Sequence, residues 1–247
     1  MNTPGAHMTD IRQSAPFVNL IRAFGQAGCP VCRIGHEHEF QFIDTMSYER
    51  VNEPELRVEL LHSLGFCPLH SRQLTAYGDP LGNAILHEAL LNRWKERLDK
   101  AATQAFEPFY GPRRLFRQET DEHERLQPRG ECPLCASGRR RERDYLEFLL
   151  DSIGDPQLLA AYRDSAGLCR PHLTDLAALV DSRRRHERFA AIARLEADIL
   201  DRLAVELREL MRKHDYRFAD EPKGPERDSW MRAIWKMAGY PQSPGDR

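Results

Sequence analysis

The residues best suited to chemistry in this 247-residue chain are its six cysteines and two of its histidines. Cys29-Pro30-Val31-Cys32 and Cys132-Pro133-Leu134-Cys135 are Cys-Pro-x-Cys motifs. Cys67-Pro68-Leu69-His70 and Cys169-Arg170-Pro171-His172 are Cys-x-x-His motifs, and together the four use every cysteine. Two thiolates separated by two residues can turn toward one ion, and Cys-x-x-His supplies a third sulfur and an imidazole nitrogen, closing a tetrahedron with no open position. Soft sulfur with one imidazole selects zinc or iron–sulfur over magnesium or calcium. Taken within each half of the chain, the expected ligand sets are Cys29, Cys32, Cys67, His70 and Cys132, Cys135, Cys169, His172, with 34 and 33 residues between the inner members. Two structural zinc ions are the expected cofactors, with an iron–sulfur cluster as the alternative. Simple core packing gives no reason for the paired spacing. A thioredoxin-like redox pair would leave the distant Cys-x-x-His without a role, and no βαβ pattern surrounds either Cys-x-x-Cys.

The elements that must position these groups begin at the same places. Pro30, Pro68 and Pro133 each follow a cysteine, and Pro suits the first position of a helix. Those cysteines are therefore expected at helix starts, where the dipole favours the thiolate and lowers its pKa. In Cys169-Arg170-Pro171-His172 the proline comes one residue later, which shifts the expected helix start at that motif.

Laying the chain on itself reveals a duplication. Ser63-x-Gly65-x-Cys67-x-x-His70 matches Ser165-x-Gly167-x-Cys169-x-x-His172 at an offset of 102; Glu53-Pro54 matches Asp155-Pro156 at that offset, and Gly35 matches Gly138 at 103. Each half ends in a long helical pattern, from 81 to about 102 and from 186 to about 213. Leu81, Ile85, Leu90, Trp94 and Leu98 mark one face of the first; Phe189, Ile192, Leu195, Ile199, Leu203, Leu207 and Leu210 mark one face of the second. Strand signals are scarce, so the expected fold is all-α, internally duplicated, with two Cys3His sites. Its expected divisions are a disordered tail over 1–16, a first repeat over 17–106, a linker over 107–130, a second repeat over 131–213, and a terminal loop and docking helix over 214–247. In that helix Trp230, Ala233, Ile234 and Met237 share a face, after Asp228 and Ser229 as candidate caps. Docking onto the core is the plain expectation for that face, and partner recognition the sharper one.

With 41% hydrophobic and 30% charged residues the chain can fold and stay solvated, and a formal charge of −2 gives no global field to attract nucleic acid or anionic lipid. No run approaches the ~18 apolar residues of a spanning helix, and the first ten residues lack a secretory pattern. A cytoplasmic, non-membrane protein is expected, where thiols stay reduced. Arg139, Arg140, Arg141 and Arg143, with Arg183, Arg184 and Arg185, could meet phosphates. Acidic neighbours Glu142, Asp144, Asp181 and Glu187 favour a solvated surface instead. His36, His38, His87 and His186 are expected at surface or helix-end positions. No phosphate cradle, nucleophile elbow or acid–base pair stands out, so no catalysis is assigned.

The duplicated motifs, with Gly78-Asp79-Pro80-Leu81-Gly82 after the first histidine and His214-Asp215-Tyr216-Arg217-Phe218 and Asp228-Ser229-Trp230 near the end, resemble a prokaryotic family of unknown function over residues 17–240. That resemblance implies the helical fold and the ligand positions and carries no activity. The expected function is a zinc-organised scaffold for binding a protein partner. An iron–sulfur or thiol redox protein, and a nucleic-acid-binding protein using the arginine clusters, are the alternatives.

Overall fold

The computed structural model describes residues 11–51, 53–103, 126–218 and 220–241. Among them are ten α-helices and no strand, in agreement with the all-α expectation. The helices are α1 (Ala15–Phe24), α2 (Pro30–Thr45), α3 (Pro54–Ser63), α4 (Pro68–Tyr77), α5 (Pro80–Thr103), α6 (Pro133–Ser152), α7 (Pro156–Asp164), α8 (Arg170–Ala178), α9 (Arg183–Lys213) and α10 (Ser229–Ala238). None is long and apolar enough to cross a membrane. Proline opens most of them because its fixed φ suits the first turn and its missing N–H would have no partner there.

Local signals set several boundaries. The Asp155 carboxylate accepts from the N–H groups of Gln157 and Leu158 to start α7, and the Ser182 hydroxyl accepts from Arg185 N–H to start α9. That cap places the start of α9 about one turn before the expected residue 186. Ordered structure also begins before Phe17: Ile11–Gln13 forms a 3₁₀ turn and α1 opens at Ala15. The remainder of the expected tail, 1–10, lies outside the described residues, as does 107–125 of the expected linker. Arg129 and Gly130 at that linker's end donate their N–H groups to the carbonyl of His62.

The chain packs as two compact units, Met1–His38 with Arg139–Arg247, and Glu39–Gly138. These are not the sequence repeats 17–106 and 131–213. Each unit takes its Cys-Pro-x-Cys from one repeat and its Cys-x-x-His from the other. The reason lies in the helices that begin at the Cys-Pro steps: α2 and α6 run continuously for 16 and 20 residues, about 24 and 30 Å of rise. Both unit boundaries, at 38/39 and 138/139, fall inside these helices.

In the first unit Phe17, Leu20 and Phe24 of α1 pack with Val31 and Ile34 of α2, Leu146, Leu149 and Leu150 of α6, and Leu158 and Tyr162 of α7. The Phe24 and Tyr162 rings lie 5.2 Å apart. From α9 come Ile192 and Ile199, on the face the periodicity predicts. In the second unit Ile43, Met46, Leu56, Leu60, Leu74, Leu86, Leu90 and Leu134 form the core. Here the expected face of α5 meets the core only in its middle, at Ile85 and Leu90. Gly82, Leu86 and Leu90 are buried, while Leu81 and Leu98 are 72% and 42% exposed. Gly82 lets the helix approach Val51, whose Cγ2 would stand 3.2 Å from an added Cβ.

The terminal helix α10 packs on α9 and α8 within the first unit, but with its polar side inward. Ser229 and Lys236 are buried, whereas Trp230, Ile234 and Met237 are 51%, 55% and 55% exposed. The apolar face read from the sequence is therefore not the face that docks. Lys236 decides this, because its ammonium pairs with the buried Glu196 carboxylate of α9 and donates to the Ala166 carbonyl at 2.8 Å.

Candidate metal centres

Four groups converge in each unit, and their parentage corrects the expected pairing. Cys29, Cys32, Cys169 and His172 come together in the first unit, and Cys67, His70, Cys132 and Cys135 in the second; within each set the four donor atoms lie within 4.8 Å of one another. The expected sets Cys29, Cys32, Cys67, His70 and Cys132, Cys135, Cys169, His172 are exchanged across the repeats. All eight residues lie in the two clusters, and each Cys-x-x-His faces the other repeat's Cys-Pro-x-Cys.

Local structure explains the reach of each sulfur. Cys67 and Cys169 are the N-cap residues of α4 and α8, with φ, ψ of −67°, 165° and −72°, 160°. The two helices thus start at equivalent residues. The displaced proline of the second motif does not move the start, since Pro171 at the second helical position fits as well as Pro68 at the first. Cys29 and Cys132 directly precede α2 and α6, and Cys32 and Cys135 follow in the first turn. Ahead of each capping cysteine the chain bends through glycine, with φ of 104° at Gly65 and 65° at Gly167. Both values lie in the region that a Cβ disfavours, and a Cβ on Gly167 would also stand 2.3 Å from the Glu196 carboxylate.

The distances fit one tetrahedral ion per cluster. His172 Nδ1 lies 3.2 Å from Cys169 Sγ and 3.4 Å from both Cys29 Sγ and Cys32 Sγ. His70 Nδ1 lies 3.2, 3.3 and 3.3 Å from Cys67, Cys132 and Cys135 Sγ. The pairs Cys32–Cys169 and Cys67–Cys135 are each separated by 3.7 Å between sulfurs. A zinc–sulfur bond of 2.3 Å in a regular tetrahedron puts sulfurs about 3.8 Å apart, whereas a disulfide would need about 2.05 Å.

Electrostatics point the same way. The Cys169 thiol is held far below its ordinary range by hydrogen bonds from Cys29 and Cys32 and then by His172. Hydrogen bonding to Cys169 pushes Cys32 up to about 12, and burial pushes Cys29 up. Burial opposes ionisation of Cys132, but His70 and the N–H groups of Cys135 and Cys67 outweigh it and bring the thiol down to about 6. Burial and then Cys67 push Cys135 up to about 12. Burial also works against charge on both imidazoles, yet Cys132 and Glu39 carry His70 to about 10, and Cys169, Cys29 and Glu142 carry His172 to about 12. In each cluster one thiol is pulled down while a neighbour is pushed up, the behaviour of sulfurs that need a cation before they can ionise together.

Behind each imidazole stands a carboxylate that sequence reasoning missed. Glu39 Oε1 lies 3.3 Å from His70 Nε2, and Glu142 Oε1 lies 3.5 Å from His172 Nε2. A carboxylate on the far ring nitrogen fixes the tautomer and strengthens the ligating nitrogen. Glu39 and Glu142 each fall seven residues after the second cysteine of a Cys-Pro-x-Cys, four after Gly35 and Gly138. The signal is therefore a repeated Cys-Pro-x-Cys-x-x-Gly-x-x-x-Glu, whose cysteines and glycine the sequence reading aligns and whose glutamate it passes over. Gly35 has a structural role here, since a Cβ on it would stand 2.7 Å from Glu142 Oε1. Replacing Glu39 or Glu142 by Gln should weaken the ion of that unit about 10–100-fold and leave the other unchanged. Competition with a chromogenic chelator would measure this, and equal effects on both ions would contradict it.

Other candidates stay apart from these clusters. His36 lies against the Tyr240 ring, and His87 Nδ1 pairs with the Asn83 carbonyl on the surface. Of the arginines, Arg143 pairs with Glu147, Arg183 with Glu187, and Arg185 with Asp151 and Asp181.

Comparison with known proteins places the chain among uncharacterised relatives. It is 26% identical over 227 residues to an uncharacterized 23.9 kDa protein in the xynA 3′ region of Caldicellulosiruptor sp. (strain Rt8B.4), covering 89% of this chain and 99% of that protein. No solved structure matches. Residues 17–244 match DUF6062, a family of unknown function, and the chain belongs to that family.

Proposed function

We propose that the protein is a zinc-organised helical scaffold, with one structural Cys3His ion in each unit, that presents its terminal helix to a protein partner. The observation that carries the zinc reading is the size and closure of the clusters. Three sulfurs and one Nδ1 lie within 4.8 Å of one another in each, which suits a single tetrahedral ion with all positions filled by protein. A cluster with several irons, each taking its own ligand, would spread the sulfurs wider, so the compactness favours zinc over iron–sulfur. Metal analysis and visible spectra of anaerobically prepared protein test this: two zinc ions per chain and no band near ~400 nm are expected. Iron with such a band would overturn it.

Binding should release protons, because the ligands must ionise to hold the ion. In the first unit the raised Cys29 and Cys32 thiols and the raised His172 imidazolium all carry protons at neutral pH. About three protons should therefore leave per ion, so that affinity increases with pH, approaching a thousandfold per unit. Calorimetry in buffers of different ionisation enthalpy reads the proton count, and a count near zero would contradict the reading.

Support for a partner comes from the exposed Trp230, Ile234 and Met237, since contiguous exposed apolar side chains mark interaction surfaces. The arginine clusters have less support, because Arg143, Arg183 and Arg185 are already paired with carboxylates. Trp230→Asp should abolish partner capture while both ions and the melting temperature are retained. Undiminished capture would remove α10 from the proposal.

A further inference from the structure

We infer that the two clusters are chemically unequal, and that Cys67 and Cys135 of the second unit form an oxidation site at which hydrogen peroxide ejects the ion, while the first unit's cluster resists. This deepens the zinc reading and depends on it.

The two clusters provide an internal control. One sulfur pair in each has the same separation, 3.7 Å for Cys67–Cys135 and 3.7 Å for Cys32–Cys169. Their exposure differs. Cys29, Cys32 and Cys169 are 4%, 7% and 1% exposed, whereas Cys67 and Cys135 are only partly buried. Oxidation of a thiolate requires that the oxidant reach it, so equal geometry with unequal access separates the two.

The first cluster is covered by the chain that follows α10. Tyr240 N–H donates to Cys32 Sγ at 3.4 Å, and a Cβ on Gly239 would stand 3.7 Å from that sulfur. Arg170 Nε donates to the Met237 carbonyl at 3.1 Å, and the Arg33 guanidinium lies 4.4 Å from the Tyr240 ring centre. An N–H directed at a metal-bound sulfur also withdraws electron density and blunts its nucleophilicity. A cavity of about 110 Å³ lined by Trp235 and Lys236 of the same terminal segment also reaches Cys29 and Cys169, which stay 4% and 1% exposed.

The step balances with peroxide as the oxidant. The thiolates of Cys67 and Cys135 give up two electrons and form one S–S bond. The O–O bond of peroxide breaks, and with two protons taken up two waters leave. Cys132 and His70 alone then remain as ligands, too few to keep the ion in a tetrahedral site.

The test uses the full chain loaded with zinc. Hydrogen peroxide is added stepwise while a chromogenic chelator reports released zinc, free thiols are counted, and disulfides are mapped by mass spectrometry. The expected result is loss of one ion per chain with thiols falling from six to four, a Cys67–Cys135 disulfide, and a second ion released at least tenfold more slowly. Release of both ions in one phase, or a first disulfide between Cys32 and Cys169, would overturn the inference and leave zinc binding standing. Failure to load two ions at the outset would instead overturn the zinc reading, and this inference with it.

Discussion

A chain carrying Cys32→Ser together with Cys169→Ser should bind one zinc ion, and a chain carrying Cys32→Ser together with Cys67→Ser should bind none. The first pair removes two ligands from one cluster and leaves Cys67, His70, Cys132 and Cys135 intact; the second pair disables both clusters. Clusters formed within each sequence repeat would give the opposite result. The effect is large because metal binding and folding are coupled: structural zinc contributes on the order of 10–16 kcal/mol in small zinc domains at neutral pH. Loss of an ion should therefore unfold the unit that held it. Amide hydrogen exchange locates the damage. For Cys32→Ser with Cys169→Ser, protection should be lost in α1, α7 and α9, whose cores meet at Phe24, Tyr162 and Ile192, and kept around Leu60, Leu74 and Leu86. Stripping both ions with a strong chelator should abolish protection in both units and lower helicity. Unchanged circular dichroism after verified metal loss would refute the structural role.

Glu196→Ala should be the most damaging substitution away from the ligands, costing about 3–5 kcal/mol. The side chain is 2% exposed. Its carboxylate accepts from the Tyr162 hydroxyl and the Lys236 ammonium, and from Leu168 N–H at 2.6 Å. Removing it leaves the 8% exposed Lys236 charge without its partner and frees the turn that delivers Cys169. A melting point lower by roughly 6–20 °C is expected for the first unit. Glu196→Leu combined with Lys236→Met should recover part of the loss, because an apolar pair removes both charges together. A loss below about 1 kcal/mol for Glu196→Ala would show that the ion pair does not hold α10 in place.

The position of α10 marks one limit of sequence reading. Periodicity correctly grouped Trp230, Ala233, Ile234 and Met237 on one face, but it could not say whether that face would meet the core. Lys236 pairs with Glu196, forty residues earlier in the chain, and no local pattern announces a buried ion pair formed at that separation. On α5 the same reading grouped Leu81 and Leu98 with Ile85 and Leu90, but only Ile85 and Leu90 of these four meet the core, and Leu86 beside them is buried as well.

The eight candidate ligand positions, which the structure gathers into two clusters, were legible because ligand chemistry is local. Cysteine three residues from cysteine, histidine three residues beyond another, and proline setting a helix start act within one turn of chain. The sequence by itself therefore determined the all-α class, the candidate donor residues and their places at helix starts. Which motif meets which could not be read this way, since the two Cys-Pro-x-Cys segments are chemically interchangeable. The tertiary structure decided it: helices begun at Cys29 and Cys132 run uninterrupted into the other unit, so each leaves its own cysteines behind. The same helices bring Glu39 and Glu142 to the histidine of the unit they enter.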